Sequence, residues 1–435
     1  MRILVCKYNN SFIEPCCAQT LLLKDGHYIF SSDVWAGYAF LKIKHDDCEY
    51  KEIQYLDESQ IQKIFSEYSH IVFYAPFPRS LDKLHLLTRL TNTARDAGCG
   101  IVYIGKDLGF AQEMLEKGHI TADVFVTAFD TQAALAMLEE EGFFRSAGTQ
   151  GEPRLLSNSE VPLQKYTHGS AGFLDVKEEV SRYDYRSLPL NRKQRCVSAG
   201  LGCPHSCTYC MKRRTKWQAK EPELLAREVA FWDGLPLELY HNNLFHSRSW
   251  LKMFLDALSA YPRNREIRTL GRIDDVHRNL DLLQLLEAAG ITRIDVGFES
   301  ANPRVLKNMR KEANDLGKLD DICDEAKRLG IAVQMNVLLG MPEEDETSIE
   351  KTYEVFRRYA STMNVTLLRP QPGTPVYDEL VEAGLLGPSD RGLENFLGTM
   401  ERLSDGAPYV ATKHLSKEDL MRWHKKFRKN ARDHY

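Results

Sequence analysis

The sequence lacks an excess of charge of either sign. Its 435 residues include 57 Lys and Arg against 61 Asp and Glu, a formal net charge of -4. A protein that binds duplex nucleic acid normally presents a strongly basic surface, so we do not expect nucleic acid as a partner. With 43% hydrophobic residues the chain can form a large core, and its length predicts two or three domains.

Long apolar runs are also missing. No stretch approaches the roughly 20 apolar residues that a helix needs to span a bilayer. Residues 1–5 predict a β-strand rather than a secretory signal. We therefore expect a cytoplasmic protein that has no membrane partner.

The paired cysteine motifs of a structural zinc site are absent. The chain has ten cysteines, and Cys203, Cys207 and Cys210 form a C-x3-C-x2-C group. A zinc site takes four ligands, usually from two separated pairs, and no second C-x2-C motif is present. A [4Fe-4S] cluster normally has four thiolate ligands. Three thiolates on one loop therefore predict a cluster that leaves one iron open to another ligand.

An aromatic residue, Tyr209, directly precedes the third cysteine. C-x3-C-x2-C with an aromatic residue at this position resembles the radical S-adenosylmethionine (radical SAM) superfamily. The resemblance implies that the open iron chelates SAM, with Tyr209 near the cofactor. It implies that one electron from the cluster cleaves the sulfonium to yield a 5′-deoxyadenosyl radical, which abstracts a hydrogen atom from the substrate. It also implies an electron donor such as flavodoxin or ferredoxin.

Strand and helix patterns alternate in the second half of the chain. Six such units of about 30 residues predict a partial (β/α)6 relative of the TIM barrel, whose active site lies at the carboxyl ends of the strands. We assign the barrel to residues 196–375 and a helical C-terminal region to 376–435. The predicted strands are 196–201, 237–240, 267–271, 293–296, 332–338 and 364–368.

Polar residues follow the second and third predicted barrel strands. Asn242 and Asn243 occupy the place where many radical SAM proteins have a Gly-Gly-Glu-like motif or an acidic pair that positions the SAM amino group. They either take over that role or form a simple turn before the next helix. Arg272 lies in a Gly-Arg-Ile-Asp stretch and either binds a carboxylate of SAM or substrate, or pairs with Asp274 or Asp275.

The fourth and fifth predicted strands end in motifs close to those of the same superfamily. Gly297-Phe298-Glu299-Ser300 resembles its Gly-Ile-Glu-Ser signature, which implies that Glu299 and Ser300 contact the ribose or amino group of SAM. The segment Leu339–Glu343 resembles Leu-Gly-x-Pro-Gly-Glu, which implies that the backbone near Gly340 lines the adenine. No residue is singled out for the hydrogen-transfer step itself.

Residues 1–142 show a second alternation of strands and helices, which predicts a parallel, doubly wound, Rossmann-like sheet. This order of elements resembles the cobalamin-binding domain that precedes the barrel in one radical SAM subgroup. Residues 143–195 are turn-rich and predict a linker. The predicted strands are 53–56, 71–74, 101–104 and 124–126, and the predicted helices are 81–97 and 131–141.

Glycines that let the backbone approach cobalamin are missing from this domain. Lys106 and Asp107 follow Gly105, Phe129 and Asp130 stand in the loop after the next strand, and the Asp-x-His-x-x-Gly motif is absent. We therefore favour a degenerate domain that keeps the fold without the cofactor, with cobalamin binding as the alternative.

The motifs together predict an enzyme. We expect a radical SAM enzyme of the isomerase or epimerase type that abstracts hydrogen from a peptide or natural-product small molecule. A cobalamin-dependent radical SAM C-methyltransferase is the alternative. A non-catalytic iron-sulfur protein is a third hypothesis, for which the motifs at Gly297 and Gly340 would be needless.

Overall fold

The protein is described by a computed structural model, which divides into two compact units. The first unit comprises Met1–Glu14, Leu21–Ser198 and Gly392–Gly398, and the second comprises Pro15–Thr20, Ala199–Arg391 and Thr399–Tyr435. The structure describes residues 2–7, 30–53, 57–75, 81–105, 110–128, 131–146, 152–157, 160–161, 173–182, 195–211, 213–262, 266–312, 314–359, 363–402 and 407–432.

The first unit contains a six-stranded parallel sheet in the order β3-β1-β4-β5-β6-β7. This is the doubly wound order of flavodoxin-like folds with one strand added, so the predicted Rossmann-like fold is confirmed. The short strands β2 and β8 of this unit pair in parallel with each other. The strands are β1 (Ile3–Lys7), β2 (Phe30–Ser31), β3 (Cys48–Glu52), β4 (His70–Tyr74), β5 (Gly100–Ile104), β6 (Val124–Val126), β7 (Arg154–Leu156) and β8 (Arg195–Ser198).

The central strands β1, β4 and β5 are buried along their whole length. Strands covered by helices on both faces carry continuous runs of Ile and Val for this reason. The helices are α1 (Ser32–Lys44), α2 (Glu58–Phe65), α3 (Leu81–Asp96), α4 (Ala111–Glu116), α5 (Thr131–Glu140) and α6 (Lys177–Arg182).

Most of the sequence-based assignments in this unit are confirmed, but of the strand predicted at 53–56 only Ile53 lies within the described residues. The chain forms the strand β3 at Cys48–Glu52, which the sequence did not predict, and Ile53 lies just beyond it. This strand is at the edge of the sheet, where charged residues are common, so it lacks the apolar run that marks β4 and β5. The region 143–195, predicted as a linker, contributes β7 to the sheet. Its three residues are too few to produce a pattern in the sequence.

The cobalamin prediction depends on loops that the structure does not describe. Gly105 and Ala128 are described, whereas Lys106, Asp107, Phe129 and Asp130 lie outside the described residues. The degeneracy of this domain therefore stays a prediction.

The second unit contains five parallel strands in chain order, β11-β12-β13-β14-β15, which curl into a half-barrel with helices between them. The short strands β9 and β10 pair antiparallel. The strands are β9 (Gly200–Leu201), β10 (Gln218–Ala219), β11 (Leu237–Tyr240), β12 (Ile267–Arg272), β13 (Ile291–Glu299), β14 (Ala332–Leu339) and β15 (Met363–Leu367).

The predicted partial TIM-type fold is confirmed. The first predicted barrel strand, 196–201, is divided between β8 and β9, and the amide of Ala199 between them donates to the Tyr240 carbonyl at 2.7 Å. The helices that alternate with the strands are α7 (Pro222–Ala230), α8 (Arg248–Ser259), α9 (Ile273–His277), α10 (Leu283–Ala288), α11 (Pro303–Asn308), α12 (Leu316–Leu329), α13 (Glu346–Arg358) and α14 (Pro375–Glu382).

The C-terminal region is helical, as predicted, with α15 (Leu393–Arg402) and α16 (Lys417–Arg432). Leu420, Trp423 and Phe427 of α16 are buried, and the Phe427 ring packs against Tyr353 and Phe356 of α13. None of the helices in the described part of the chain is both long and apolar enough to cross a membrane.

Candidate functional site

The three cysteines lie on an irregular loop that follows β9 in the second unit, and each is half-buried. The Cys210 amide donates to the Cys207 carbonyl at 3.2 Å, which turns the loop back on itself. Burial raises the pKa of the Cys203 thiol. A thiol with a raised pKa keeps its proton when no metal is bound. Metal coordination favours the thiolate and therefore displaces that proton.

Hydrogen bonds from outside the loop hold it in shape. The Cys203 amide donates to Thr215 Oγ1 at 2.8 Å, and the Thr215 amide donates to the Cys203 carbonyl at 2.9 Å. Thr208 Oγ1 donates to the Asn308 carbonyl at 3.0 Å. Gly202, which precedes the loop, has a φ of +84°, and a Cβ there would lie 1.8 Å from the Lys216 carbonyl oxygen. Only glycine fits this close approach.

Arg272, at the end of β12, reaches one of the three cysteines. Its Nη1 atom lies 3.3 Å from Cys207 Sγ, and its Nε donates to Asp274 Oδ1 at 3.0 Å. Burial acts to lower the pKa of Arg272, but Asp274 and the Cys207 sulfur together raise it above its ordinary value. The guanidinium therefore forms the predicted ion pair with Asp274, and it also contacts the Cys207 sulfur, which the sequence did not predict.

Glu299, at the end of β13, forms a polar cluster with Tyr209 and Lys311. The Tyr209 hydroxyl donates to Glu299 Oε1 at 3.0 Å, and Lys311 Nζ lies 2.9 Å from the same oxygen. Burial, and next the Glu299 carboxylate, raise the pKa of Tyr209 well above its ordinary value, so the phenol stays protonated. Glu299 has a φ of +66°, a backbone conformation that non-glycine residues rarely adopt. The residues that do adopt it are found often at functional sites.

The cluster of Tyr209, Glu299 and Lys311 requires a glycine at position 297. A Cβ on this residue would lie 2.6 Å from Lys311 Nζ and 2.7 Å from Glu299 Oε1. Lys311 Nζ also donates to the Gly297 carbonyl at 2.9 Å. The sequence prediction included Gly297 and Glu299 but missed Lys311. Lys311 carries no signal, because it sits between Arg310 and Glu312 in a charged stretch, yet the fold buries it.

Three of the predicted SAM-binding residues use their side chains within the protein. Asn242 accepts from the Gly202 amide at 2.9 Å and donates to the Tyr240 hydroxyl at 2.9 Å. The buried Asn243 donates to Asp275 Oδ2. Ser300 Oγ is 3.1 Å from Thr352 Oγ1. Asn242 and Asn243 thus support the cysteine loop and its surroundings, as in the turn interpretation.

Gly340 lies just after β14 in a tight turn. Its φ is +97°, and its amide donates to Glu344 Oε2 at 2.6 Å. Glu344 is fully buried, and burial raises the pKa of its carboxyl group to about 8. Glu343, which the sequence analysis matched to the last residue of the Leu-Gly-x-Pro-Gly-Glu motif, instead forms an exposed ion pair with Lys413. Glu344 is therefore the carboxyl group that shapes the turn.

A second group of side chains with metal-ligand chemistry lies next to the cysteine loop. His205 Nε2 donates to Asp275 Oδ2 at 3.1 Å, and ligand atoms of His205, His246 and Asp275 lie within 4.8 Å of one another. Asp275 also accepts one hydrogen bond from Asn243 and forms an ion pair with Arg278. Burial and then the nearby Arg272 charge lower the pKa of His205 to about 4. Arg278 already neutralises the Asp275 carboxylate. The group of His205, His246 and Asp275 therefore stabilises the loop rather than offering a cation site.

The donor set fits the cofactors that the sequence implies. Three thiols at one loop, with a guanidinium beside Cys207, provide ligands and charge compensation for an iron-sulfur cluster. The Glu299 carboxylate and Lys311 ammonium offer opposite charges to the amino acid end of SAM. All of these groups belong to the second unit.

Residues 197–356 match the family model of the radical SAM superfamily. Among curated relatives, an anaerobic magnesium-protoporphyrin IX monomethyl ester cyclase of Synechocystis is 33% identical over 123 residues, covering 26% of this chain and 24% of the relative. A bacteriochlorophyllide d C-12(1)-methyltransferase of Chlorobaculum tepidum is 25% identical over 199 residues, covering 42% of each chain. The chain thus spans less than half the length of these relatives.

Two solved structures share the fold over nearly the whole chain. The radical SAM methyltransferase TsrM of Kitasatospora setae, with tryptophan and a SAM analogue bound, has a TM-score of 0.65 at 14% identity and covers 100% of this chain and 89% of its own. The cobalamin-dependent radical SAM enzyme OxsB has a TM-score of 0.67 at 12% identity, with 98% and 66% covered. At these identities the likeness concerns the fold alone.

Proposed function

We propose that this chain is a radical SAM enzyme, as the match of residues 197–356 to that superfamily supports, and that it cleaves SAM reductively at a [4Fe-4S] cluster held by Cys203, Cys207 and Cys210. The single observation that carries the proposal is the hydrogen bond from Tyr209 to Glu299, 3.0 Å long. It joins the cysteine loop to the end of β13, so that three thiols and a carboxylate–ammonium pair share one site.

Each polar residue of the site has a role in this proposal. When bound, the cluster would supply one electron for cleavage of the C5′–S bond of SAM, which would release methionine and leave a deoxyadenosyl radical to take hydrogen from the substrate. Glu299 accepts from the SAM ammonium, and Lys311 holds Glu299 in place and presents positive charge to the SAM carboxylate. Arg272 offsets negative charge at the Cys207 sulfur. The turn at Gly340 contacts the adenine.

Anaerobic reconstitution with iron and sulfide, followed by reduction with dithionite in the presence of SAM, tests the proposal. We expect 5′-deoxyadenosine and methionine in equal amounts by liquid chromatography and mass spectrometry. Cys207→Ala should abolish both, whereas Cys323→Ala, on helix α12 outside the cysteine loop, should leave both unchanged. A reduced, cluster-containing protein that forms no 5′-deoxyadenosine would disprove the proposal.

A cobalamin-dependent methyltransferase is the second candidate function. It is favoured by the flavodoxin-like strand order of the first unit and by the fold shared with TsrM and OxsB, whose structures are described with cobalamin. Incubation with hydroxocobalamin followed by desalting separates the candidates. Stoichiometric retention of the corrinoid absorption favours methyl transfer, and its loss favours hydrogen abstraction alone, as in epimerisation or rearrangement.

The substrate, partner and location complete the proposal. We infer a small-molecule or peptide substrate, a flavodoxin or ferredoxin as electron donor, and a cytoplasmic location. Support comes from the reduced thiols that the site needs, since the cytoplasm keeps thiols reduced.

A further inference from the structure

The register of the half-barrel strands places four residues of the second unit in one row. Arg272 on β12 pairs with Gly297 on β13, Gly297 with Asn336 on β14, and Asn336 with Asn364 on β15. Side chains at paired positions of a parallel sheet project to the same face. Arg272 contacts Cys207 Sγ, and Lys311 and Glu299 lie over Gly297. Asn336 and Asn364 therefore share the face that carries the cysteine site.

The two asparagines are only half-buried, and they contact one another. Asn364 Nδ2 donates to Asn336 Oδ1 at 3.3 Å. Each amide can make more bonds than this one, because among the described residues the two N–H donors of Asn336 and the carbonyl oxygen of Asn364 have no other partner. The pair thus presents a donor and an acceptor side by side. In a closed TIM barrel the interior positions are filled by branched apolar residues, which makes two adjacent amides here unusual.

The row beneath supplies an independent observation. Asp295 on β13 pairs with Gln334 on β14, and Asp295 is bound by both Arg268 and Arg293. Gln334 is buried, and its oxygen accepts from Arg293, but its Nε2 has no partner among the described residues. A buried donor without an acceptor is costly, so such a group in a native protein calls for a bound water or ligand.

We propose that Asn336, Asn364 and Gln334 bind an amide group of the substrate. An amide carries a carbonyl acceptor and an N–H donor side by side, which is the complement of the pair that Asn336 and Asn364 present. The ionic layer of Arg268, Arg293 and Asp295 closes the floor below this site. The inference rests on the proposed function, because a substrate held here lies on the face where the deoxyadenosyl radical would form.

The test uses capped amino acids as probes. An equimolar mixture of N-acetyl amino acid amides is added to the reconstituted enzyme with SAM and dithionite, and the rate of 5′-deoxyadenosine formation is compared with and without the mixture. We expect the amides to raise this rate about tenfold, the effect of one to two hydrogen bonds. The matching O-acetyl hydroxy acid methyl esters, in which both amides are replaced by esters, lack the N–H donors and should raise it less.

Variants assign the effect to the asparagines. In the double variant Asn336→Leu/Asn364→Leu, the ratio of stimulated to unstimulated rate should fall to about one. In Asn364→Asp, which removes the N–H donors of residue 364 but keeps the shape of its side chain, the ratio should take an intermediate value. The control Asn92→Leu, on the exposed side of α3, should keep the full ratio. Iron content and circular dichroism verify that each variant folds.

The outcomes separate this inference from the proposed function. No stimulation of the wild-type protein, equal stimulation by esters, or full stimulation in Asn336→Leu/Asn364→Leu overturns the amide site while 5′-deoxyadenosine still forms. Failure of the wild-type protein to form 5′-deoxyadenosine under any condition overturns the proposed function and the amide site together.

Discussion

The guanidinium of Arg272 lies 3.3 Å from the sulfur of Cys207, although 65 residues separate them in the sequence. Asp274 orients the guanidinium through a second hydrogen bond. Hydrogen bonds and positive charge at a cysteine sulfur stabilise the reduced form of an iron-sulfur cluster. The relationship therefore connects the end of β12 to the ease of electron transfer at the proposed cluster.

Replacing Arg272 should shift the reduction potential. We expect Arg272→Leu to lower the midpoint potential of the reconstituted cluster by on the order of 50 mV, the one-electron equivalent of a tenfold change. Arg272→Lys keeps the charge but loses the planar guanidinium. Its midpoint potential should lie between those of the wild type and Arg272→Leu. Redox titration followed by electron paramagnetic resonance measures the potential. Equal potentials in all three proteins would show that Arg272 does not influence the cluster.

Replacing Glu299 should weaken SAM binding. If its carboxylate accepts from the SAM ammonium, Glu299→Gln should cost roughly 1.5 to 3 kcal/mol of binding free energy, the scale for a hydrogen bond to a charged group. Glu343→Gln is the matched control, since that carboxylate pairs with Lys413 at the surface. Anaerobic calorimetry gives both affinities. Unchanged affinity in Glu299→Gln removes this residue from the SAM site.

A buried ion pair in the second unit predicts a stability effect. Lys220 Nζ lies 2.7 Å from Glu228 Oε2, and the two side chains are 2% and 0% exposed. Lys220→Met should destabilise the fold by about 3 to 5 kcal/mol, because it leaves a buried carboxylate unpaired. The double variant Lys220→Met/Glu228→Leu should recover most of the lost free energy of unfolding.

Urea unfolding of the cluster-free protein measures these free energies. Arg328→Met, which removes an exposed ion pair with Glu325 on α12, should change them by less than about 1 kcal/mol. A double variant no more stable than Lys220→Met would contradict the explanation.

The buried Glu344 predicts a pH dependence of stability. Its pKa is raised from 4.5 to about 8, so the folded state binds a proton more tightly than the unfolded state. The stabilisation from this group is fully present below the unfolded pKa and is lost as the pH rises through 8. Because each tenfold change in proton affinity is worth about 1.4 kcal/mol, the loss amounts to a few kcal/mol.

Glu344→Gln removes this ionisation and keeps the acceptor for the Gly340 amide. The variant should therefore gain stability relative to wild type between pH 5 and pH 9, measured by thermal or urea unfolding at each pH. A constant difference across this range would show that Glu344 has the same pKa in both states.

The sequence by itself was sufficient for the fold class and for a specific hypothesis about the site. The β-branched runs of β4, β5 and β6 are long enough and apolar enough to stand out, and helices between them leave parallel pairing as the solution. The spacing of Cys203, Cys207 and Cys210 is local, so it identifies a three-thiol loop without any tertiary information. The motifs at Gly297 and Gly340 are local too, and they lie where strands end.

Tertiary structure decided which side chains complete the site. Lys311 reaches Glu299 because α11 follows β13 and turns back over its end, and the sequence offers no sign that this lysine is buried among its charged neighbours. Asn336 and Asn364 lie in one row only because β14 and β15 pair in a particular register. Distances between residues far apart in the chain depend on strand register and helix packing, which arise from many weak contacts at once and leave no local pattern to read.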